Sequence, residues 1–135
     1  MPTRPHLQVS CALIEQDGRV LAAQRGPTMS LPLKWEFPGG KIHAGETPQD
    51  CLRRELMEEL GVQIAVGKAL PSVWHDYPGF RVTLYPFICL LTAGTPVLHE
   101  HAAVRWLWPH ELAQLDWADA DWPVLDAYLA ERGCG

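Results

Sequence analysis

Apolar residues along this chain fall into short runs separated by turn residues, a pattern that alternates strand-like and helix-like periods. Residues 7–14, Leu-Gln-Val-Ser-Cys-Ala-Leu-Ile, are mostly apolar and predict a buried strand. The Asp17-Gly18 pair then turns the chain, and Val20 to Gln24 returns as the second arm of a hairpin. Trp35-Glu36-Phe37 reads as a short extended piece, ended by Pro38-Gly39-Gly40 and followed by a loop to Glu46. Thr47-Pro48 is a helix start, Thr as N-cap and Pro at the first helical position. Leu52, Leu56 and Leu60 give that helix one apolar stripe, and Gly61 stands where a left-handed cap belongs. Strands follow at 62–69, 72–76, 80–92 and 103–108, a short helix at Pro109, and a last helix from Trp122-Pro123 to about Arg132. The order β-β-β-α-β-β-β-α-α predicts an α/β domain: a mixed β-sheet between helices on both faces.

Composition narrows this picture. A chain of 135 residues, 47% hydrophobic and 20% charged, predicts one domain over residues 1–135 with a core that needs no disulfides. No apolar run approaches a membrane span, and Met-Pro-Thr-Arg-Pro-His is not a signal peptide, so a cytoplasmic location and no membrane partner are expected. A net charge of −5 argues against a nucleic-acid polymer as partner, because such binding needs a basic surface. An acidic protein that handles phosphates needs a divalent metal as intermediary. Cys11, Cys51, Cys89 and Cys134 are scattered without metal spacing and read as free thiols.

The candidate chemistry lies in Gly40 to Val62. At 100° per residue Glu55, Glu58 and Glu59 stand at about 0°, 300° and 40°, so all three share one helix face beside the leucine stripe. One reading is a solvated acidic surface. The other is a metal site. Crowded like charges repel, and they stand toward the C-terminal end of the helix, where the dipole disfavours them. A hard cation such as Mg²⁺ removes both penalties. Arg54 is the cation inside the cluster, and the Gly39-Gly40 pair lets the backbone approach closely, with a carbonyl to offer.

Gly40, Glu46, Arg54, Glu55, Leu56, Glu58, Glu59, Gly61 and Val62 fit G-x5-E-x7-R-E-U-x-E-E-x-G-U, where U is bulky and apolar. This is the Nudix box, and the sequence resembles a Nudix hydrolase. The resemblance implies an α/β/α sandwich and metal-assisted attack of water on a nucleoside diphosphate linked to another moiety. It implies Glu55, Glu58 and Glu59 as ligands of Mg²⁺ (or Mn²⁺), with the Gly40 carbonyl, and Glu46 supporting Arg54 and the helix start.

Outside the box, Trp35 to Lys41 (Trp-Glu-Phe-Pro-Gly-Gly-Lys) and Leu21-Ala-Ala-Gln-Arg25 look like the MutT-type branch, which sanitises nucleoside triphosphates. That implies Arg25 and Lys41 as phosphate contacts. Glu100 falls where this branch carries an additional acidic residue, a metal ligand or general base. A zinc site on His99 and His101 is disfavoured for want of a third ligand. Asp119 and Asp121 stand where the branch carries a base-reading polar residue. Either is also placed to cap the helix that starts at Trp122-Pro123, Asp121 the better of the two. The Ala-Asp-x-Pro pattern looks closer to CTP pyrophosphohydrolase relatives. Phe37, Tyr77, Phe80 and Trp117 are candidates to stack on the base or to fill the core. The expected activity is Mg²⁺-dependent hydrolysis of nucleoside triphosphates such as 8-oxo-dGTP to NMP and pyrophosphate. The expected partner is a small nucleotide, on a monomer or homodimer.

Overall fold

The central strand is buried on both faces, and that fixes the architecture. In a computed structural model describing residues 4–133, β1 (His6–Gln16) runs parallel to β7 (Phe80–Ala93), from His6 opposite Arg81 to Glu15 opposite Leu90. Ala12, Leu13 and Ile14 are fully buried, so consecutive side chains must each find a core. Such a run suits a strand covered on both sides. Cys11 and Leu13 join one core, and Ala12 and Ile14 join the other. The α/β/α sandwich expected from the element order is present.

β2 (Arg19–Gln24) closes the hairpin through Asp17 and Gly18, both at positive φ, as a tight two-residue turn requires. It also pairs with β8 (Ala103–Leu107) and with β3 (Trp35–Glu36). β5 (Gln63–Ala69) and β6 (Val73–Tyr77) both pair antiparallel with β7. Helix α1 (Pro48–Leu60) is capped as its sequence predicts: Thr47 Oγ1 accepts from Asp50 N at 3.1 Å, and Gly61 takes φ 68°. Leu52, Leu56 and Leu60 are fully buried against the sheet. Each contributes roughly 1.5–3 kcal/mol of apolar burial.

Three expectations need correction. Gly39–Lys41 is a strand, β4, and not part of a loop; it pairs antiparallel with β1, Gly40 opposite Ser10. Its two glycines mask a strand signal, because the extended segment exists only through its neighbours. The element at Pro109–Gln114 is a single 3₁₀ stretch. The last helix, α2 (Asp121–Glu131), starts one residue early, with Ala120 at the cap position and no side-chain cap. Asp121 is therefore not a capping residue: its carboxylate turns inward, as described below. Cys11, Cys51 and Cys89 are buried free thiols, and Cys134 lies outside the described residues. Among the described residues no helix is long and apolar enough to cross a membrane.

Candidate active site

The carboxylates of α1 are organised by one arginine. Arg54 grips Glu46 with two hydrogen bonds, Nε to Oε2 at 2.6 Å and Nη2 to Oε1 at 2.9 Å. Its Nη1 donates to Glu55 Oε1 at 2.9 Å and to Glu58 Oε2 at 3.2 Å. Its Nη2 also reaches the Lys41 carbonyl at 3.2 Å, tying β4 to the helix. Glu46 accepts from the His43 backbone N–H at 2.8 Å as well. The Arg54 contact, followed by that N–H, holds the Glu46 carboxyl down at about 2. The same contact drives Arg54 upward, so this pair stays ionised.

β4 lies against that cluster because its glycines permit it. A Cβ on Gly39 would overlap the Ser10 carbonyl oxygen, so no side chain fits there, and one on Gly40 would displace the Glu55 carboxylate. Glu55 is nearly buried beneath Gly40, Glu58 is exposed, and Glu59 lies between these extremes. Burial, more than any neighbouring charge, pushes Glu59 above its ordinary value, and Glu55, Glu100 and Glu36 add to the shift. Glu100 itself is exposed, just ahead of β8.

Among the described residues no three His, Cys, Asp or Glu side chains form a ready-made metal cage. The donor set nevertheless suits a hard divalent cation. It is all oxygen, and Gly40 packs directly on the Glu55 side chain. Mg²⁺ is commonly held by one or two carboxylates plus substrate phosphates, so protein ligands alone need not complete its shell.

Glu59, Gly40 and Lys41 line one wall of a cavity of about 590 Å³, within the range of small-ligand sites. The far wall is apolar, with Leu7, Val9, Phe80 and Leu84, and is closed by Phe37, Ala120 and Asp121. Asp121 is buried, and its Oδ2 accepts the Phe37 backbone N–H at 2.9 Å. Burial pushes this carboxyl well above the usual carboxylate range, and the Glu36 charge adds to the effect. Asp119 is exposed, stands 3.8 Å from His75 Nε2, and does not line the cavity.

The aromatic candidates divide. Phe37 and Phe80 face the cavity, whereas Trp117 is core, stacked on Phe37 at 4.4 Å with its Nε1–H donated to the Leu112 carbonyl. Tyr77 also lines the cavity, its hydroxyl accepting the Ala120 N–H at 2.8 Å. Of the two cations, Lys41 is exposed at the mouth. Arg25 is engaged: it donates to Ser30 O at 2.5 Å, Ser30 Oγ at 2.9 Å and Glu36 Oε1 at 2.6 Å.

The sequence assigns no site role to two residues that line the cavity: Glu36, read there only as part of an extended piece, and His101, considered there only as a zinc ligand. His101 is buried, and its Nε2 lies 2.8 Å from Glu36 Oε2. Glu36, a single carboxylate between Trp35 and Phe37, was the available signal, since a charge between buried aromatics needs a partner.

Comparison with known proteins bears on this geometry. Residues 4–128 match the NUDIX domain family. The chain is 38% identical over 126 residues to a CTP pyrophosphohydrolase of Escherichia coli, covering 93% of each protein. It is 40% identical over 103 residues to a putative 8-oxo-dGTP diphosphatase 2 of Mycobacterium tuberculosis, covering 76% of this chain and 73% of that one. A solution structure of a MutT protein (family Nudix hydrolase) from methicillin-resistant Staphylococcus aureus superimposes with a TM-score of 0.77 at 40% identity. It covers 96% of this chain and 99% of that one.

Proposed function

The chain belongs to the Nudix hydrolase family, enzymes that cleave phosphoric anhydride bonds in small nucleotides and generally use divalent metal ions, and from that premise we propose a specific reaction. It is a Mg²⁺-dependent nucleoside triphosphate pyrophosphatase, releasing NMP and pyrophosphate from oxidised or modified (d)NTPs such as 8-oxo-dGTP. One observation carries this reading: Glu59 and Gly40, from the edge of the carboxylate cluster, line the same cavity as a set of apolar side chains and the buried carboxyl of Asp121.

Glu55, Glu58 and Glu59, with the Gly40 carbonyl and Glu100, would hold Mg²⁺, for which Mn²⁺ substitutes. When bound, such ions neutralise the polyphosphate and lower the pKa of water. Arg54, fixed by Glu46, keeps Glu55 and Glu58 on one face of α1. Lys41 meets the phosphates at the mouth, and Arg25 holds the 26–34 loop and Glu36 at the cavity wall. The Phe37 ring flanks the base. Water adds at phosphorus, the anhydride oxygen leaves with the pyrophosphate, and the proton of water passes to a carboxylate of this wall.

Asp121, and not Asp119, reads the base, because only Asp121 reaches the cavity. With its proton retained it offers a donor as well as an acceptor. A second reading, hydrolysis of CTP or modified pyrimidine nucleotides, is favoured by the similarity to the Escherichia coli CTP pyrophosphohydrolase across nearly the whole of both chains. An ionised Asp121 would accept from a cytosine amino group. Turnover of a panel containing 8-oxo-dGTP, CTP, 5-methyl-dCTP and dATP, with pyrophosphate readout, separates the two. Preference for 8-oxo-dGTP supports the first reading, preference for cytidine nucleotides replaces it with the second, and no turnover of any triphosphate overturns both.

A further inference from the structure

A buried polar relay runs along the cavity wall and ends in an unpaired ring nitrogen. Arg25 donates to Glu36 Oε1 at 2.6 Å, and Glu36 Oε2 takes the His101 Nε2 at 2.8 Å. The His101 side chain is 2% exposed. Its other nitrogen, Nδ1, is buried, makes no hydrogen bond among the described residues, and stands 3.8 Å from Glu59 Oε2. A buried nitrogen without a partner is uncommon in native proteins and calls for an explanation. Carboxylates only accept, so a ring lying between two of them serves both only in its doubly protonated form, donating from Nε2 to Glu36 and from Nδ1 toward Glu59. The ring is therefore fixed at one end by Glu36 and aimed at Glu59 with the other.

The geometry points to His101 as a positioning residue: through Nδ1 it orients the Glu59 carboxylate toward the cation, with the Arg25–Glu36 pair as its anchor. This rests on the proposed function only in taking Glu59 as a metal ligand. The gap of 3.8 Å is one that a small turn of the Glu59 side chain closes into a hydrogen bond. Partners of this kind orient metal ligands, and their loss costs about 10- to 100-fold in metal affinity or activity. The relay also explains why a carboxylate stands between Trp35 and Phe37: Glu36 holds the histidine and the Arg25 loop with its two oxygens.

Two isosteric substitutions separate the ring nitrogens. The amide nitrogen of Gln reaches about as far as Nε2, and that of Asn about as far as Nδ1. The dissociation constant for Mn²⁺ alone, without nucleotide, is measured for wild type, His101→Gln, His101→Asn, Glu59→Gln and the Glu59→Gln/His101→Gln double variant, together with melting temperatures. The expected result is weakening of at least about tenfold in His101→Gln, within about threefold of wild type in His101→Asn, and no further loss in the double variant. A merely structural histidine would lower the melting temperature and leave Mn²⁺ affinity alone. Wild-type affinity in His101→Gln, with Glu59→Gln weakened, overturns the role of His101 and leaves the proposed reaction standing. Wild-type affinity in Glu59→Gln removes Glu59 from the metal site and overturns the inference with it. If His101→Gln does not fold, His101→Ala, which removes both ring nitrogens, decides: a tenfold loss of Mn²⁺ affinity supports the role, and affinity within threefold of wild type overturns it.

Discussion

Glu46, just before α1, and Asp121, in the first turn of α2, carry carboxyls that the protein treats in opposite ways. Glu46 is gripped twice by Arg54 and held at about 2, so it is charged at any ordinary pH. Asp121 is buried, receives only the Phe37 N–H, and is pushed up by burial and by Glu36. Around Glu46 negative charge is concentrated and paired, which suits the proposed cation site. Around Asp121 charge is discouraged, which suits the proposed contact with a flat, uncharged base. The same functional group is thus held in two states, and burial against pairing decides which.

The sharpest way to break this comparison is to remove charge at the α1 end. Glu58→Gln and Glu59→Gln should each lower kcat by at least about 10²-fold, because each would delete a charged ligand of the proposed metal site. Melting temperature should hold or rise slightly, since like-charge repulsion on the helix is relieved. Chelation with EDTA should abolish activity, and Mg²⁺ or Mn²⁺ should restore it. Steady-state kinetics at saturating Mg²⁺ check the first expectation; near wild-type turnover in both variants would remove the carboxylates from the reaction.

At the buried carboxyl, Asp121→Asn should change selectivity more than rate. Asn offers a fixed donor and acceptor, so one buried hydrogen bond is gained or lost, worth roughly 1–3 kcal/mol. The ratio of kcat/KM for 8-oxo-dGTP over CTP should therefore shift about tenfold or more. Asp119→Asn, outside the cavity, should keep that ratio within about twofold. Equal effects from both would place base recognition elsewhere.

The helix α1 and its contents were legible in the sequence because everything there is local. Thr47-Pro48, the leucine spacing and Gly61 fix the helix, and helical geometry alone brings Glu55, Glu58 and Glu59 together. The relay and the Asp121 contact are assembled from residues far apart in the chain. Glu36 meets His101 across a separation of 65 residues, and Phe37 meets Asp121 across 84. No period or spacing records such contacts. Asp121 illustrates the cost: beside Trp122-Pro123 a capping role satisfies every local rule, yet the inward hydrogen bond to Phe37 prevails. β4 is hidden for the same reason, since Gly39 and Gly40 have no strand propensity and the segment is extended because it pairs with β1, where the Ser10 carbonyl leaves no room for a side chain on Gly39.

A smaller effect tests the pH signs of the two carboxyls. The Glu46 carboxyl lies below its ordinary 4.5 when folded, so its contribution is present above that value and lost as pH falls toward about 2. The Asp121 carboxyl lies above its ordinary value, so its contribution is full below about pH 4 and lost as pH rises through the raised folded value. Urea midpoints against pH should show wild type losing its advantage over Glu46→Gln only in acid. Over Asp121→Asn the advantage should decline toward neutral pH. Parallel curves for the two variants would erase the distinction between paired and buried.

The smallest expected effect concerns the two cations that face the cavity. Arg25 spends its donors on Ser30 and Glu36, whereas Lys41 is exposed at the mouth beside the carboxylate wall. A surface ammonium about 4 Å from a phosphate is worth on the order of 1 kcal/mol in a watery setting. Lys41→Gln should therefore raise KM about fivefold with kcat and melting temperature unchanged. The difference from wild type should shrink between low salt and about 0.5 M salt, because an exposed charge is screened. Arg25→Gln should behave otherwise: it frees Ser30 and strips Glu36 Oε1 of its arginine, so melting temperature falls along with activity, at any salt concentration. A Lys41→Gln variant whose KM stays at the wild-type value in low salt would leave phosphate binding to metal alone.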